Sequence, residues 1–229
     1  MFADRRQAGR MLTEKLPDLD RSSTVVVALP RGGLPVAREV ALAFGLPLGI
    51  VLVRKVGVPG HPEVALGAIS DGDDMNLTIN PDIAGALGFD EGKIEMLARK
   101  VLPELERRQK LYAGDRPPVS VKGRTVVVVD DGVATGATLR AALHVLRQRG
   151  AKRLIVALPV APAEQLDELQ RLADEVVCLE CPSPFVAVGA HYAVFDQVED
   201  SEVIRILDEM QNRAGVETGA ASGPDDQSS

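Results

Sequence analysis

Aromatic residues are scarce in this chain: 3% of 229 positions, with no tryptophan. Valine, leucine, isoleucine and alanine must therefore fill the core, and a hydrophobic content of 45% suffices for one substantial core and a small accessory lobe. Cysteine is confined to Cys178 and Cys181, too few for a disulfide framework. An excess of positive charge is missing as well. A net charge of −7 and a pI near 5.1 argue against general binding to nucleic acid or anionic membranes, although an acidic average can hide a small cationic pocket. No apolar run approaches the roughly 18 residues that a membrane span needs. The opening MFADRRQAGRMLTEKL carries charge throughout and does not read as a signal peptide. A cytoplasmic protein is the expectation.

What is present alternates between strand and helix patterns. A first helix is expected with Ala8, Met11, Leu12 and Leu16 on one face and Pro17 as its stop. TVVVAL (Thr24 to Leu29) is a β-branched apolar run bounded by Pro and Gly, as a strand buried on both faces should be. A helix over Leu34 to Leu46 and a strand over Leu48 to Val53 follow. From Val56 to about Ile79 glycine and proline crowd the chain, and Asp71 to Asp74 suggests a hairpin turn between short strands. The stretch near 57–79 is expected to be a mobile functional loop. Asp90 to Tyr112 is helical, with a kink or break expected at Pro103. Strands are then expected at Arg124 to Val129, Leu154 to Pro159 and Glu175 to Glu180. Helices are expected at Thr138 to Gln148, Ala163 to Ala173 and Ser201 to Gln211. Residues 1–212 would form one domain, with 213–229 a disordered tail. The fold class is α/β, a mainly parallel sheet flanked by helices.

The run VVVVDDGVATGAT, Val126 to Thr138, carries the chemistry. Four apolar strand residues lead directly into Asp130 and Asp131, and a small-residue loop then opens a helix. In open α/β sheets ligands collect at the carboxyl ends of strands. Gly132, Ala134, Gly136 and Ala137 let backbone N–H groups come close to an anion, Thr135 and Thr138 add hydroxyl donors, and the helix N-terminus favours negative charge. Two acids beside such a phosphate loop need partners of their own. Sugar hydroxyls and a Mg²⁺ ion are the natural ones. The site is thus shaped for a phosphorylated sugar. A nucleotide P-loop would need a lysine here, a dinucleotide fingerprint would place its glycines before the acids, and a receiver domain would lack the threonine-and-glycine loop.

This run resembles the signature of type I phosphoribosyltransferases for 5-phosphoribosyl 1-diphosphate (PRPP). The resemblance implies that Asp130 and Asp131 hold the ribose hydroxyls, and Mg²⁺ indirectly through ribose or water. It also implies that Val133 to Thr138 wrap the 5-phosphate. Two further stretches fit it. Pro30-Arg31-Gly32-Gly33 follows the first strand, where a pyrophosphate loop is required; its glycines would permit unusual backbone angles and Arg31 would bind phosphate oxygens. Arg54-Lys55-Val56-Gly57-Val58-Pro59-Gly60 resembles the lead-in to the flexible catalytic loop of adenine phosphoribosyltransferases, with Arg54 and Lys55 as cations for the leaving pyrophosphate.

The implied reaction replaces pyrophosphate at the anomeric carbon with a nitrogen of a nucleobase. PRPP and a nucleobase-like molecule would be the ligands, Mg²⁺ the cofactor, and a homodimer the assembly. Hypoxanthine–guanine members place an aspartate before Thr-Gly as proton acceptor; here that position is Ala134, so acid–base chemistry would come from Glu63 or His61. The hood over the base is expected near 184–195, with Phe185 stacking on it. Cys178 and Cys181 lack the further ligands of a zinc site and read as structural, and His144 and His191 read as incidental. The rival function is a regulatory protein that binds PRPP or nucleotide without transferase activity; a transferase or hydrolase acting on something other than a free base is a third.

Overall fold

The computed structural model describes residues 1–71, 76–114, 116 and 118–220, without the side chains of residues 62, 63, 76 and 214–220. Five parallel strands form the main sheet in the order β2-β1-β6-β7-β8: β1 (Thr24–Ala28), β2 (Leu48–Ile50), β6 (Thr125–Val129), β7 (Arg153–Val160) and β8 (Glu175–Glu180). Their apolar runs are continuous because both faces are covered. Val26, Ala28, Val127, Val129, Ile155 and Ala157 join one buried cluster, and their neighbours Val25, Val27, Val126, Val128, Leu154 and Val156 join another. Helices α2 (Gly33–Phe44) and α7 (Asp200–Ala220) supply side chains to the first, and α5 (Ala137–Gln148) to the second.

The strand expected over Leu48 to Val53 is interrupted after Ile50, and Val53 and the glycine-rich stretch after it are largely strand. They form an antiparallel sheet of β3 (Val53–Val58), β4 (His61–Ser70) and β5 (Asn76–Ile79). Val56, Val58, Leu66, Ala68 and Ile69 are buried there, so the stretch contributes to the core and does not form the open loop that its glycine and proline content suggests. The expected turn at Asp71 to Asp74 falls between β4 and β5, but residues 72–75 lie outside the described residues. A short helix, α3 (Pro81–Ala86), had no clear sequence pattern. It leads to α4 (Glu91–Ala113), which covers the small sheet with Ile94, Ala98, Leu105 and Tyr112. Pro103 does not break α4. Its ring lies on an exposed face, where water can serve the carbonyl freed one turn earlier.

Helix α1 (Arg5–Thr13) begins at Asp4, whose side chain accepts from the Gln7 N–H. Ala8, Gly9 and Leu12 are buried; Met11, expected inward, is 41% exposed. α6 (Ala163–Gln170) precedes β8. The closing helix α7 continues to Ala220, so the expected boundary of a disordered tail after residue 212 falls inside helix, and residues 221–229 lie outside the described residues. Arg38 on α2 makes a two-pronged pair with Glu209 on α7 at 3.0 and 2.5 Å, tying the closing helix to the core. No helix among the described residues is long and apolar enough to cross a membrane.

Candidate active site

Strand order alone locates the site. From β1 the chain departs toward β2 on one side of the sheet, and from β6 toward β7 on the other, so the β1–β6 pair is the switch point where a crevice opens at the strand ends. Ala28 pairs with Val129, and therefore residues 29–33 and 130–136 emerge side by side. The two stretches singled out separately in the sequence face each other.

Asp130 and Asp131 both sit at that crevice, partly buried. Burial first, and the adjacent Asp131 carboxylate second, push Asp130 well above the usual carboxylate range. Burial also raises Asp131, against the downward pull of Arg5. Arg5 donates from Nε to Asp131 Oδ2 at 2.7 Å, and both side chains are only 12% and 14% exposed. Of the two acids only Asp131 has a cation paired with it among the described residues, and the site favours hydroxyl donors or a further cation.

The glycines opposite do a different job from the one expected. Gly32 has an ordinary helical φ of −62°, so no unusual angle is required of it. Room is required instead: a Cβ on Gly32 would stand 2.1 Å from Asp131 Oδ2, and one on Gly33 would stand 2.6 Å from the Val129 carbonyl. The Pro30–Arg31 peptide between β1 and these glycines is cis. Arg31 reaches Asp200 at 3.6 Å and Glu199 at 4.0 Å, at the start of α7. Asp200 also accepts from the Tyr112 hydroxyl, which burial and Asp200 together push up to about 12.

In the loop after the acids, Val133 turns inward and its N–H is bonded to the Val160 carbonyl at 3.0 Å, which removes it from any anion site. The N–H groups of Ala134 to Thr138 have no protein acceptor among the described residues, and Ala134, Thr135 and Thr138 are exposed. Gly136 caps α5 in the left-handed region at φ 68°, a backbone shape that favours glycine. Free amides at a helix start form an anion cradle. Arg140 donates to the Thr135 carbonyl at 2.9 Å and supports the loop from outside.

Arg54 and Lys55 lie on β3. Arg54 pairs with Glu104 of α4 at 3.5 Å and, with Arg108, lines a small pocket that also touches Leu29, Pro30 and Thr138. Glu104 is held by Arg107 and Arg108, which bring its pKa down to about 2. His61 begins β4 and is exposed at the β3–β4 tip; no described contact brings it to the acids, and the side chain of Glu63 lies outside the described residues. Phe185 stacks on His191 with ring centres 5.8 Å apart, so one face is already taken.

Residues 184–195 do gather beside the site, and they do so with a segment that no local pattern marks. Phe2 bridges to Tyr192, and its backbone bonds to His191 and Ala193. The Tyr192 hydroxyl donates to the Asp131 carbonyl at 2.5 Å, and the ring lies 5.0 Å from that of Phe195. Arg5, Tyr192, Glu104, Arg108 and Asp200 are therefore site neighbours that sequence reasoning missed; each acts across long separations. Cys178 and Cys181 are free thiols, and among the described residues no three or more His, Cys, Asp or Glu gather into a metal cage.

A parallel α/β sheet with paired acids and free loop amides in a crevice at its switch point defines the class of protein. The family profile described as "Phosphoribosyl transferase domain" matches residues 4–194. A Mycobacterium tuberculosis protein named "Putative phosphoribosyl transferase" is 42% identical over 227 residues, 98% of this chain and 51% of its own length. A crystal structure of a protein from Thermus thermophilus shares 46% identity and a TM-score of 0.83, covering 91% of this chain and 98% of that one. A uracil phosphoribosyltransferase of Clostridioides difficile is 32% identical over 108 residues, 44% of this chain and 51% of its own. The chain belongs to the phosphoribosyltransferase family. It spans about half the length of the curated relatives it matches.

Proposed function

We propose that this protein transfers the phosphoribosyl group of PRPP to a nucleobase-like acceptor and releases pyrophosphate, as a Mg²⁺-dependent cytoplasmic homodimer. The observation that carries the reading is the switch-point crevice, where Asp130 and Asp131 face the Gly32–Gly33 loop and the anion cradle of 134–138 opens beside them. The acids would take the ribose hydroxyls and the cradle the 5-phosphate. Pro30 to Gly33, with Arg31, Arg54 and Lys55, would take the pyrophosphate.

Two adjacent, partly buried carboxylates, one of them paired with Arg5, suit a divalent ion as donors. Asp130 and Asp131 would hold Mg²⁺ indirectly, through ribose or water, and the ion would supply charge neutralisation for the departing pyrophosphate. Bond breaking runs ahead of bond making, which gives the ribose oxocarbenium character. The arginines steady the charge growing on the leaving group. Glu63 or His61, at the β3–β4 tip, supplies the proton acceptor that Ala134 cannot, and the tip closes over the acceptor to exclude water. Phe185 would stack on a base with the face that His191 does not cover.

Wild-type protein with PRPP, Mg²⁺ and a panel of purine and pyrimidine bases should release pyrophosphate with at least one of them. The double variant Asp130→Asn, Asp131→Asn should lose PRPP binding; intact affinity would end the proposal. PRPP binding with no turnover on any base would instead identify a regulatory binder. Glu63→Gln should lower turnover with little change in PRPP affinity, and unchanged turnover removes Glu63 from the chemistry.

A further inference from the structure

Asp131 is restrained from every side. Its carboxylate rests against the α-carbon of Gly32, its main-chain carbonyl accepts from Tyr192, and its N–H donates to Asp130 Oδ1 at 2.9 Å. The remaining contact is Arg5, and Arg5 is itself fixed by groups outside the crevice. Its guanidinium lies 3.9 Å over the Phe195 ring, and Nη1 donates to the Asp196 carbonyl at 2.8 Å. The backbone beneath it is the first turn of α1, capped by Asp4. A planar cation with three anchors on two chain segments presents one rigid donor to one carboxylate oxygen.

We propose that Arg5 is the positioning residue of the ribose site: it engages Asp131 Oδ2 so that Oδ1 stays turned to a sugar hydroxyl. This deepens the reading of the crevice as a PRPP site and rests on it. The N-terminal helix then belongs to the binding machinery, although its sequence carries none of the phosphate-loop features. Arg5 also covers a face of Phe195, so that ring is a platform for the guanidinium and not for an acceptor base on that face.

Ribose 5-phosphate and inorganic pyrophosphate separate positioning from general damage, because Asp131 meets the sugar hydroxyls directly and pyrophosphate only through Mg²⁺. Their affinities, each with Mg²⁺, are to be measured by calorimetry for the full chain, Arg5→Gln, Arg5→Lys and Asp131→Asn. Arg5→Gln should weaken ribose 5-phosphate by about tenfold or more and leave pyrophosphate within about twofold. Arg5→Lys keeps the charge but not the planar fork, and should fall between Arg5→Gln and wild type. If Arg5→Gln does not fold, Arg5→Lys alone decides: wild-type affinity for ribose 5-phosphate overturns the inference. Unchanged ribose 5-phosphate affinity in Arg5→Gln overturns it too. Equal loss of both ligands would make Arg5 a structural tie, and tighter sugar binding would make it an internal competitor; either result also overturns the inference. If wild type and Asp131→Asn bind the sugar equally, or neither binds it, the PRPP reading itself has failed.

Discussion

The α-carbon of Gly32 lies flush against the carboxylate of Asp131, so close that a Cβ would come within 2.1 Å of Oδ2. Gly32→Ala should therefore displace the carboxylate while leaving the strand and helix around it in place, since Gly32 already has helical angles. Moving a side chain off its rotamer costs about 0.5–1.5 kcal/mol and losing a charged hydrogen bond about 1.5–3 kcal/mol, so PRPP should bind about tenfold more weakly or worse. Calorimetry with PRPP and Mg²⁺, alongside a thermal melt close to wild type, checks this. Unchanged affinity would mean that Asp131 can swing clear.

Tyr192→Phe removes one hydroxyl and leaves the ring stack with Phe195 intact. The Asp131 carbonyl loses its donor, at a cost of about 1–2 kcal/mol. Urea unfolding should show a lower midpoint with an unchanged slope. A midpoint equal to wild type would show that water replaces the hydroxyl without loss.

Glu104 holds Arg107 and Arg108 and lies within reach of Arg54. Glu104→Gln should leave these arginines freer for an anion and tighten pyrophosphate binding several-fold, read by calorimetry. Weaker binding would mean that the carboxylate orients the arginines productively. The pH dependence has a definite sign. The carboxyl's pKa is depressed to about 2 in the folded protein, so its contribution is complete above the ordinary glutamate pKa and is lost only as pH falls toward 2. Glu104 should thus add no pH dependence to pyrophosphate binding across the neutral range.

Cys178 and Cys181 should differ in reactivity. Burial pushes the Cys178 thiol up to about 11, whereas Cys181 is exposed. Iodoacetamide near neutral pH should add one group to the native protein, at Cys181 by peptide mapping, and a second only after denaturation. Rapid double labelling of native protein would contradict the burial of Cys178.

The sheet was legible because β1, β6 and β7 are covered on both faces and so appear as unbroken apolar runs, and the crevice was legible because its acids and glycines are consecutive in the chain. The stretch from Val56 to Ile79, where only short strands about a turn were expected, was harder to read for the opposite reason. Its inward residues, such as Val56, Val58 and Leu66, are interrupted by glycine and proline, whose local preference for turns outweighs a short alternation. Pro103 misled in the same way, because a rule about an isolated helix ignores which face the ring occupies. Gly32 was singled out for backbone freedom, yet its angles are helical: such freedom is visible in a sequence, whereas crowding by a residue from another strand is not. Arg5 and Tyr192 reach Asp131 across long separations, and neither position carries a local pattern that points there.

The bridge between Phe2 and Tyr192 bears on how the site comes into being. The chain must return from near the end of the matched domain to its opening residues before Tyr192 and Arg5 can both grip Asp131. The last strand of the parallel sheet ends at Glu180, and the crevice stays unfinished until the segment around Tyr192 has met Phe2. Ligand affinity in such a protein reports that two distant segments have met, and separating either one from Asp131 would silence it while the sheet still stood.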